Sequence, residues 1–168
     1  MHLIVKMKKI IIVRHAKSSW KEDLSDHERG LESRGIKDAE LVSLYFKQFE
    51  IQPDMVLSST AKRAKKTAGI FIENLKINPD LVHYYKELYD FTGESLIKTI
   101  KNTSDSIQCL MVFGHNHALT HFVNTFGDRY IDNVPTSGLV VIEFHVDSWK
   151  HIFKGQTLKI IFPRDLRE

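Results

Sequence analysis

Lys9-Ile10-Ile11-Ile12-Val13-Arg14-His15-Ala16-Lys17-Ser18-Ser19-Trp20 is the stretch on which the fold turns. Ile10 to Val13 is β-branched and does not alternate with polar residues, the pattern of a short strand buried on both faces of a parallel sheet. It ends abruptly in a cation and an imidazole. Open α/β sheets bind ligands in the crevice beyond the carboxyl ends of their strands, so Arg14 and His15 arrive where a nucleophile is held rigidly. Two further stretches repeat the arrangement. Asp54 to Ser59 is strand-like and runs into Thr60-Ala61-Lys62-Arg63-Ala64, and Cys109 to Phe113 runs into Gly114-His115-Asn116.

Composition bounds what such a site serves. A chain of 168 residues is one domain's worth, long enough to bury about 70% of its unfolded surface. With 42% hydrophobic and 27% charged residues it reads as a soluble globular protein, and a formal net charge of +3 suits an anionic ligand without requiring a polyanion. A nucleic-acid binder needs a basic stripe with interleaved aromatics, which Lys62 to Lys66 does not supply. No run approaches the roughly 18 apolar residues of a membrane span. Met1 to Lys9 holds only Leu3-Ile4-Val5, cut short by Lys6, and has no small-residue cleavage site, so it is a poor signal peptide. A cytoplasmic location is the expectation, with residues 1–6 either an extension ahead of the fold or an upstream start. Cys109, the lone cysteine, sits in a buried strand and reads as an inert core thiol.

Along the chain, Ser18 to Arg34 is polar and aperiodic, a long loop of the kind that tends to be functional. Ile36, Ala39, Val42, Phe46 and Phe49 recur at helical spacing, with Leu41 and Tyr45 widening the face, giving a helix from about Ser33 or Gly35 to Phe49. Ala61, Ala64, Ala68, Phe71 and Leu75 form the stripe of the next helix, which Ser59 or Thr60 is placed to cap. Arg63 lies in its first turn, off that stripe. From spacing alone it is either an anion ligand in the crevice or a solvated charge beside Lys62, Lys65 and Lys66. Leu81 to Leu88 reads as an edge-like strand, Leu96 to Ile100 as a short helix, and Leu119 to Phe126 as an amphipathic helix closed by Gly127. Leu139 to Phe144 and about Thr157 to Phe162 read as a final antiparallel pair. Strands that alternate with helices predict a three-layer α/β/α sandwich around a mostly parallel, mixed sheet.

Arg14-His15-Ala16, Ser58-Ser59 with Arg63-Ala64 and Thr67-Ala68, and Gly114-His115-Asn116 together resemble the motifs of the histidine phosphatase superfamily, the phosphoglycerate-mutase-like fold. The short chain, Arg-His-Ala-Lys-Ser in place of the commoner Arg-His-Gly, and the stretch from Asp26 to Ala39 are most similar to SixA-type phosphohistidine phosphatases. Arg29-Gly30-Leu31-Glu32-Ser33 departs from the Arg-Pro-Leu-Thr pattern usual there. The resemblance runs from Lys8 to about Phe144 and implies a single catalytic domain over residues 1–168. It implies a substrate that is a phosphorylated protein or a small phosphorylated molecule. Oligomeric state leaves no trace in the sequence.

Phosphoryl transfer spreads negative charge over equatorial oxygens, for which arginine forks are suited, and Arg14 and Arg63 are placed to supply them. A neutral imidazole attacks phosphorus to form a covalent phosphohistidine, a role that falls to His15; Arg14 and Arg63 are expected to keep it neutral. The resemblance implies that His115 donates a hydrogen bond to a phosphoryl oxygen, and that the proton donor of ester-cleaving relatives falls near Glu87. Glu87 reads equally as a strand-end carboxylate paired with Lys86. Lys17 and Ser19 are candidates for the rim of the pocket, and Asn116 either binds substrate or caps a helix. His117 and His121, four apart on a helix, have zinc-ligand spacing but no third ligand nearby. The chemistry calls for no cofactor and no metal. The readings in view are a protein phosphohistidine phosphatase, a small-molecule phosphomonoesterase, and a non-catalytic phosphate-binding module.

Overall fold

The computed structural model describes residues 6–167. Residues 1–5, most of the stretch read as an N-terminal extension, lie outside the described residues. The strands are β1 (Lys8–Arg14), β2 (Met55–Ser59), β3 (Val82–Tyr85), β4 (Cys109–Gly114), β5 (Leu139–Phe144) and β6 (Gln156–Ile161). The helices are α1 (Ser33–Lys47), α2 (Lys62–Leu75), α3 (Glu94–Lys101), α4 (Ala118–Phe126) and the short α5 (Pro163–Leu166). All six strands join one sheet in the order β3-β2-β4-β1-β5-β6. β1 pairs in parallel with β4, and β2 in parallel with β3 and β4, while β5 runs antiparallel to both of its neighbours.

β1 shows why the sheet is arranged this way. Ile10 and Ile12 enter one apolar layer with Leu96 and Ile100 of α3 and Leu119 and Phe122 of α4. Ile11 and Val13 enter the other, with Ala39, Val42 and Phe46 of α1 and Ala68 and Phe71 of α2. All four strand residues are fully buried, and each contributes about 1.5–3 kcal/mol relative to exposure. A one-residue slip would pull Arg14 into an apolar layer, so burial fixes the register that leaves Arg14 and His15 at the strand's end.

Several local expectations are corrected. α1 ends at Lys47 rather than Phe49, and Ile36 and Tyr45 are each 40% exposed. The buried face carries Gly35, Asp38 and Ser43 beside Ala39, Val42 and Phe46. Its polar members are satisfied, Asp38 by Arg167 and Ser43 by Asn74. β3 stops at Tyr85, and Lys86 to Leu88 coil into a 3-10 turn where a longer strand was expected. α2 has Ala61 at its N-cap with no side-chain cap, and the Ser59 hydroxyl instead accepts the Ala61 N–H at 3.1 Å. Gly127 closes α4 as expected, in an extended conformation. A Cβ there would stand 2.5 Å from Thr157 Oγ1 and 2.7 Å from the Val123 carbonyl oxygen, so close approach is what calls for glycine.

Gly35 matters more for the site. A Cβ on it would collide with the Lys17 carbonyl oxygen and stand 2.9 Å from the Lys17 backbone nitrogen, because α1 abuts the backbone just after His15. Gly35→Ala is expected to lower stability by about 1–3 kcal/mol, the usual range for overpacking, and to displace the segment that follows His15. Urea melts read the first effect, and an unchanged midpoint would contradict the close approach.

Candidate active site

His15 follows the last residue of β1, its backbone N–H donating to the Gly114 carbonyl oxygen at 3.1 Å. Its Nδ1 lies 2.7 Å from the Ala16 carbonyl oxygen, and Arg63 Nε lies 3.3 Å from its Nε2. A carbonyl only accepts and a guanidinium only donates, so the proton sits on Nδ1 and the lone pair on Nε2. The imidazole thus carries its lone pair on Nε2, where it accepts from Arg63. Thr67 steadies this geometry, because its hydroxyl accepts the Ala16 N–H at 2.8 Å and donates to the Arg63 carbonyl oxygen at 2.7 Å.

Two guanidinium groups converge on His15. Arg63 is 2% exposed and holds the loop between β1 and α1, with Nη1 donating to the Asp26 carbonyl oxygen at 2.6 Å and Nη2 to Asp26 Oδ2 at 2.9 Å. Arg14 donates through Nη1 to the Val134 carbonyl oxygen at 3.0 Å, while its buried Nε has no partner. His115, directly after β4, places its ring 5.2 Å from that of His15, centroid to centroid. Its Nε2 lies 2.8 Å from the Ser59 hydroxyl, and its buried Nδ1 is also without a partner. Buried polar groups left unpaired are costly, so two such atoms in one crevice suit it to receive the oxygens of an anion.

Both imidazoles are neutral at pH 7. Burial is the main force that pushes His15 down to about 3, with the Arg63 and Arg14 charges adding to it, whereas the arginines alone were expected to do so. Burial, then His15 and Arg63, brings His115 down to about 2. The unfolded chain's histidines titrate near 6.5. As pH falls below that value the unfolded chain takes up protons that these native rings refuse, so their burial costs stability between about pH 6.5 and pH 3. Histidine C2–H resonances should show neither ring titrating from pH 8 down to pH 5. A midpoint near 6.5 for either would contradict the desolvation on which this rests.

The structure brings Arg14, His15, Arg63 and His115 together and leaves the other sequence candidates outside. Glu87 is exposed on the 3-10 turn and lines a cleft of about 400 Å³ with Thr99, Asn102, Thr103 and Ser104. None of the four site residues lines that cleft. The early end of β3 is the cause, because the turn swings Glu87 toward the C-terminal half of α3. Lys17 pairs with Glu32 at 3.6 Å on the surface. Ser19 accepts the Lys21 N–H at 3.2 Å and lines a small basic cleft with Lys62 and Lys66. Both side-chain ends of Asn116 are occupied: its amide nitrogen donates to Asn133 at 2.7 Å, and its oxygen accepts from the Thr120 backbone at 3.1 Å. Its oxygen thus serves the first turn of α4, whose N-cap is His117. His117 and His121 are exposed, and no group of three or more His, Cys, Asp or Glu among the described residues could hold a metal ion. Trp20 is 77% exposed and packs under Arg29, whose guanidinium lies 3.5 Å from the ring centroid. Cys109 is buried in β4, which raises its thiol to about 12.

The carboxylate that does reach the site is Asp26, which sequence reasoning missed. It accepts from Arg63 and Arg29, each at 2.9 Å, and from the Tyr89 hydroxyl. Burial acts to raise its carboxyl, but the bonds from Tyr89, Arg29 and Arg63 outweigh that and hold it well below the usual carboxylate range. Asp26 is thus ionised at neutral pH and has no proton to give. Tyr89 and Phe91 then wall one side of His115, their ring centroids 5.2 Å and 5.1 Å from the imidazole, with Phe91 43% exposed as a lip. The Asp26-x-x-Arg29 spacing is the one trace in the sequence that could have found this cluster.

A family model described as "Histidine phosphatase superfamily (branch 1)" matches residues 10–92, the span that carries Arg14, His15 and Arg63. Over that span the chain matches the histidine phosphatase superfamily. An uncharacterised protein of Mycobacterium tuberculosis is 29% identical over 140 residues, 77% of this chain and 85% of the relative. Among solved structures, the protein histidine phosphatase SixA complexed with tungstate superposes with a TM-score of 0.77 at 18% identity, covering 95% of this chain and 99% of that one. Phosphoglycerate mutase from Bacillus anthracis str. Sterne gives 0.66 at 13% identity, covering 92% and 93%. Both share the fold of this chain, a phosphoglycerate-mutase-like sandwich. The family match supports phosphatase activity. No helix among the described residues is long and apolar enough to cross a membrane.

Proposed function

We propose that this chain is a SixA-type phosphatase of one catalytic domain, which removes phosphate from phosphohistidine on a partner protein through a covalent intermediate on His15 and without a metal. The Nε2 lone pair of His15 attacks phosphorus in line. The phosphorus–nitrogen bond of the substrate breaks, and its electron pair leaves on an imidazole whose other ring nitrogen carries a proton from the bulk solvent, which the later hydrolysis of the phosphoryl group by water returns. Arg14, Arg63 and the Nδ1 side of His115 face the oxygens that gather charge. Water then attacks the phosphoryl group on His15, the Nε2–phosphorus bond breaks, its electron pair returns to the ring, and phosphate departs with the water's oxygen.

The observation that carries the substrate class is the placement of the two nearby carboxylates, Asp26 held by Arg63, Arg29 and Tyr89 and Glu87 in a separate cleft. An alkoxide, whose conjugate acid has a pKa near that of water, about 15, needs a proton donor to leave. Imidazole protonated by solvent on its other ring nitrogen leaves as a neutral ring, whose conjugate acid has a pKa of about 6.5, so no enzyme acid is needed at the bond that breaks. Asp26 is ionised and Glu87 stands in a separate cleft, which favours a phosphoramidate over an ester.

The test compares a phosphohistidine-bearing protein with a panel of phosphate monoesters, in chelator. The expected result is turnover of the phosphoramidate at least about 100-fold more efficient than that of any ester, about the effect of one missing general acid. Preferred turnover of a small ester would move the substrate to the small-molecule class. Binding without turnover would leave a phosphate-binding module, and loss of activity in chelator with rescue by a divalent ion would overturn the metal-free scheme.

A further inference from the structure

We infer that Ser59 is a positioning residue, whose hydroxyl holds the proton of His115 on Nδ1 and so turns that nitrogen into a hydrogen-bond donor toward the phosphoryl group. Ser59 closes β2 and is fully buried. Its Oγ has two neighbours, the Ala61 N–H at 3.1 Å and His115 Nε2 at 2.8 Å. A backbone N–H only donates, so one of the hydroxyl's lone pairs is committed to Ala61. Its single proton then has one acceptor within reach, the Nε2 lone pair.

The opposite arrangement, with Nε2–H donating to Ser59, leaves the buried hydroxyl proton without an acceptor. It also leaves a bare lone pair on buried Nδ1, which has no protein partner. The first arrangement leaves one unmet group, an Nδ1–H on a ring whose centroid is 5.2 Å from that of His15, and that is the group an anionic oxygen satisfies. The two imidazoles are thereby held in one tautomer for opposite uses. The Ala16 carbonyl and Arg63 turn the lone pair of His15 outward as nucleophile, and Ser59 turns the N–H of His115 outward as donor. Ser59 touches no reacting atom and acts through His115.

The effect on turnover rests on the phosphatase reading, but the tautomer does not, so it is measured first in the free protein. Nitrogen–proton correlation spectra of the 15N-labelled imidazoles should show His115 protonated on Nδ1 in the wild type and in Ser59→Thr, which keeps the hydroxyl. In Ser59→Ala the proton should move largely to Nε2. On a phosphohistidine-bearing protein, Ser59→Ala should lower kcat by about 10- to 100-fold, the usual cost of losing a group that orients a site residue, with KM little changed and Ser59→Thr near wild type. A wild-type spectrum with His115 protonated on Nε2 would overturn the inference even if Ser59→Ala fails to fold, and so would a Ser59→Ala protein whose His115 keeps its Nδ1 proton. If the tautomer follows the hydroxyl but no variant, nor the wild type, turns over phosphohistidine, the inference about Ser59 stands and the phosphatase reading fails.

Discussion

His15→Ala is expected to lower kcat/KM on a phosphohistidine-bearing protein by at least about 10⁴-fold, the scale on which enzymes lose their nucleophile. No neighbour can take over. His115, 5.2 Å away between ring centroids, has its Nε2 occupied by Ser59. Asp26 is spent on two arginines and a tyrosine. The substitution also removes the acceptor for Arg63 Nε, so that guanidinium keeps its hold on Asp26 and leaves a cavity shaped for a planar ring. Free imidazole at millimolar concentration should therefore restore part of the rate. A His15→Ala protein that retains more than a hundredth of wild-type activity without added imidazole would contradict the assignment.

The second large effect is expected at Arg63, where Arg63→Lys should reduce kcat by about 10²- to 10³-fold, the cost of removing one preorganised donor from a charge-stabilising site. The positive charge survives this change, but the fork does not. Arg63 uses Nε to hold the His15 lone pair in place and both terminal nitrogens to fix Asp26. One ammonium cannot meet His15, the Asp26 carbonyl, the Asp26 carboxylate and a phosphoryl oxygen in their different directions. The loop of Asp26 should loosen with it, so competitive inhibition by inorganic phosphate should weaken alongside kcat. Stopped-flow turnover together with phosphate inhibition measures both, and an Arg63→Lys protein within tenfold of wild type on each would show that charge alone is what the site needs.

The parts of the molecule that were legible in the sequence are those fixed by short-range pattern. Ile10 to Val13 and Cys109 to Phe113 are unbroken apolar runs because both faces of β1 and β4 are covered. Arg14, His15 and His115 follow as the first polar residues beyond a buried run, and Arg63 sits in the first turn of the helix after another strand. The rest depends on meetings between distant segments. Asp26 and Arg63 are 37 positions apart, Ser59 and His115 are 56 apart, and Asp26 and Tyr89 are 63 apart. Asp26 lies in a loop without periodicity, so nothing local says which way it points. Glu87 stayed between two readings for a related reason: four residues of β3 followed by a tight turn look like one longer strand, and each residue past the true end changes the face on which a side chain emerges. Ile36 and Tyr45 misled because apolar spacing alone cannot register that Asp38 and Ser43 are buried with partners, which lets α1 turn its small and polar residues inward.

A phosphoryl group carried on His15 is the intermediate on which the mechanism stands, and trapping it is the decisive experiment. Rapid mixing of the wild-type protein with a phosphohistidine-bearing substrate, followed by quenching in alkali and mass-spectrometric mapping, should find phosphate on His15 at Nε2, base-stable and acid-labile, and none in His15→Ala. Turnover that proceeds with no phosphoryl group ever found on His15, or with the group on His115 instead, would contradict the account.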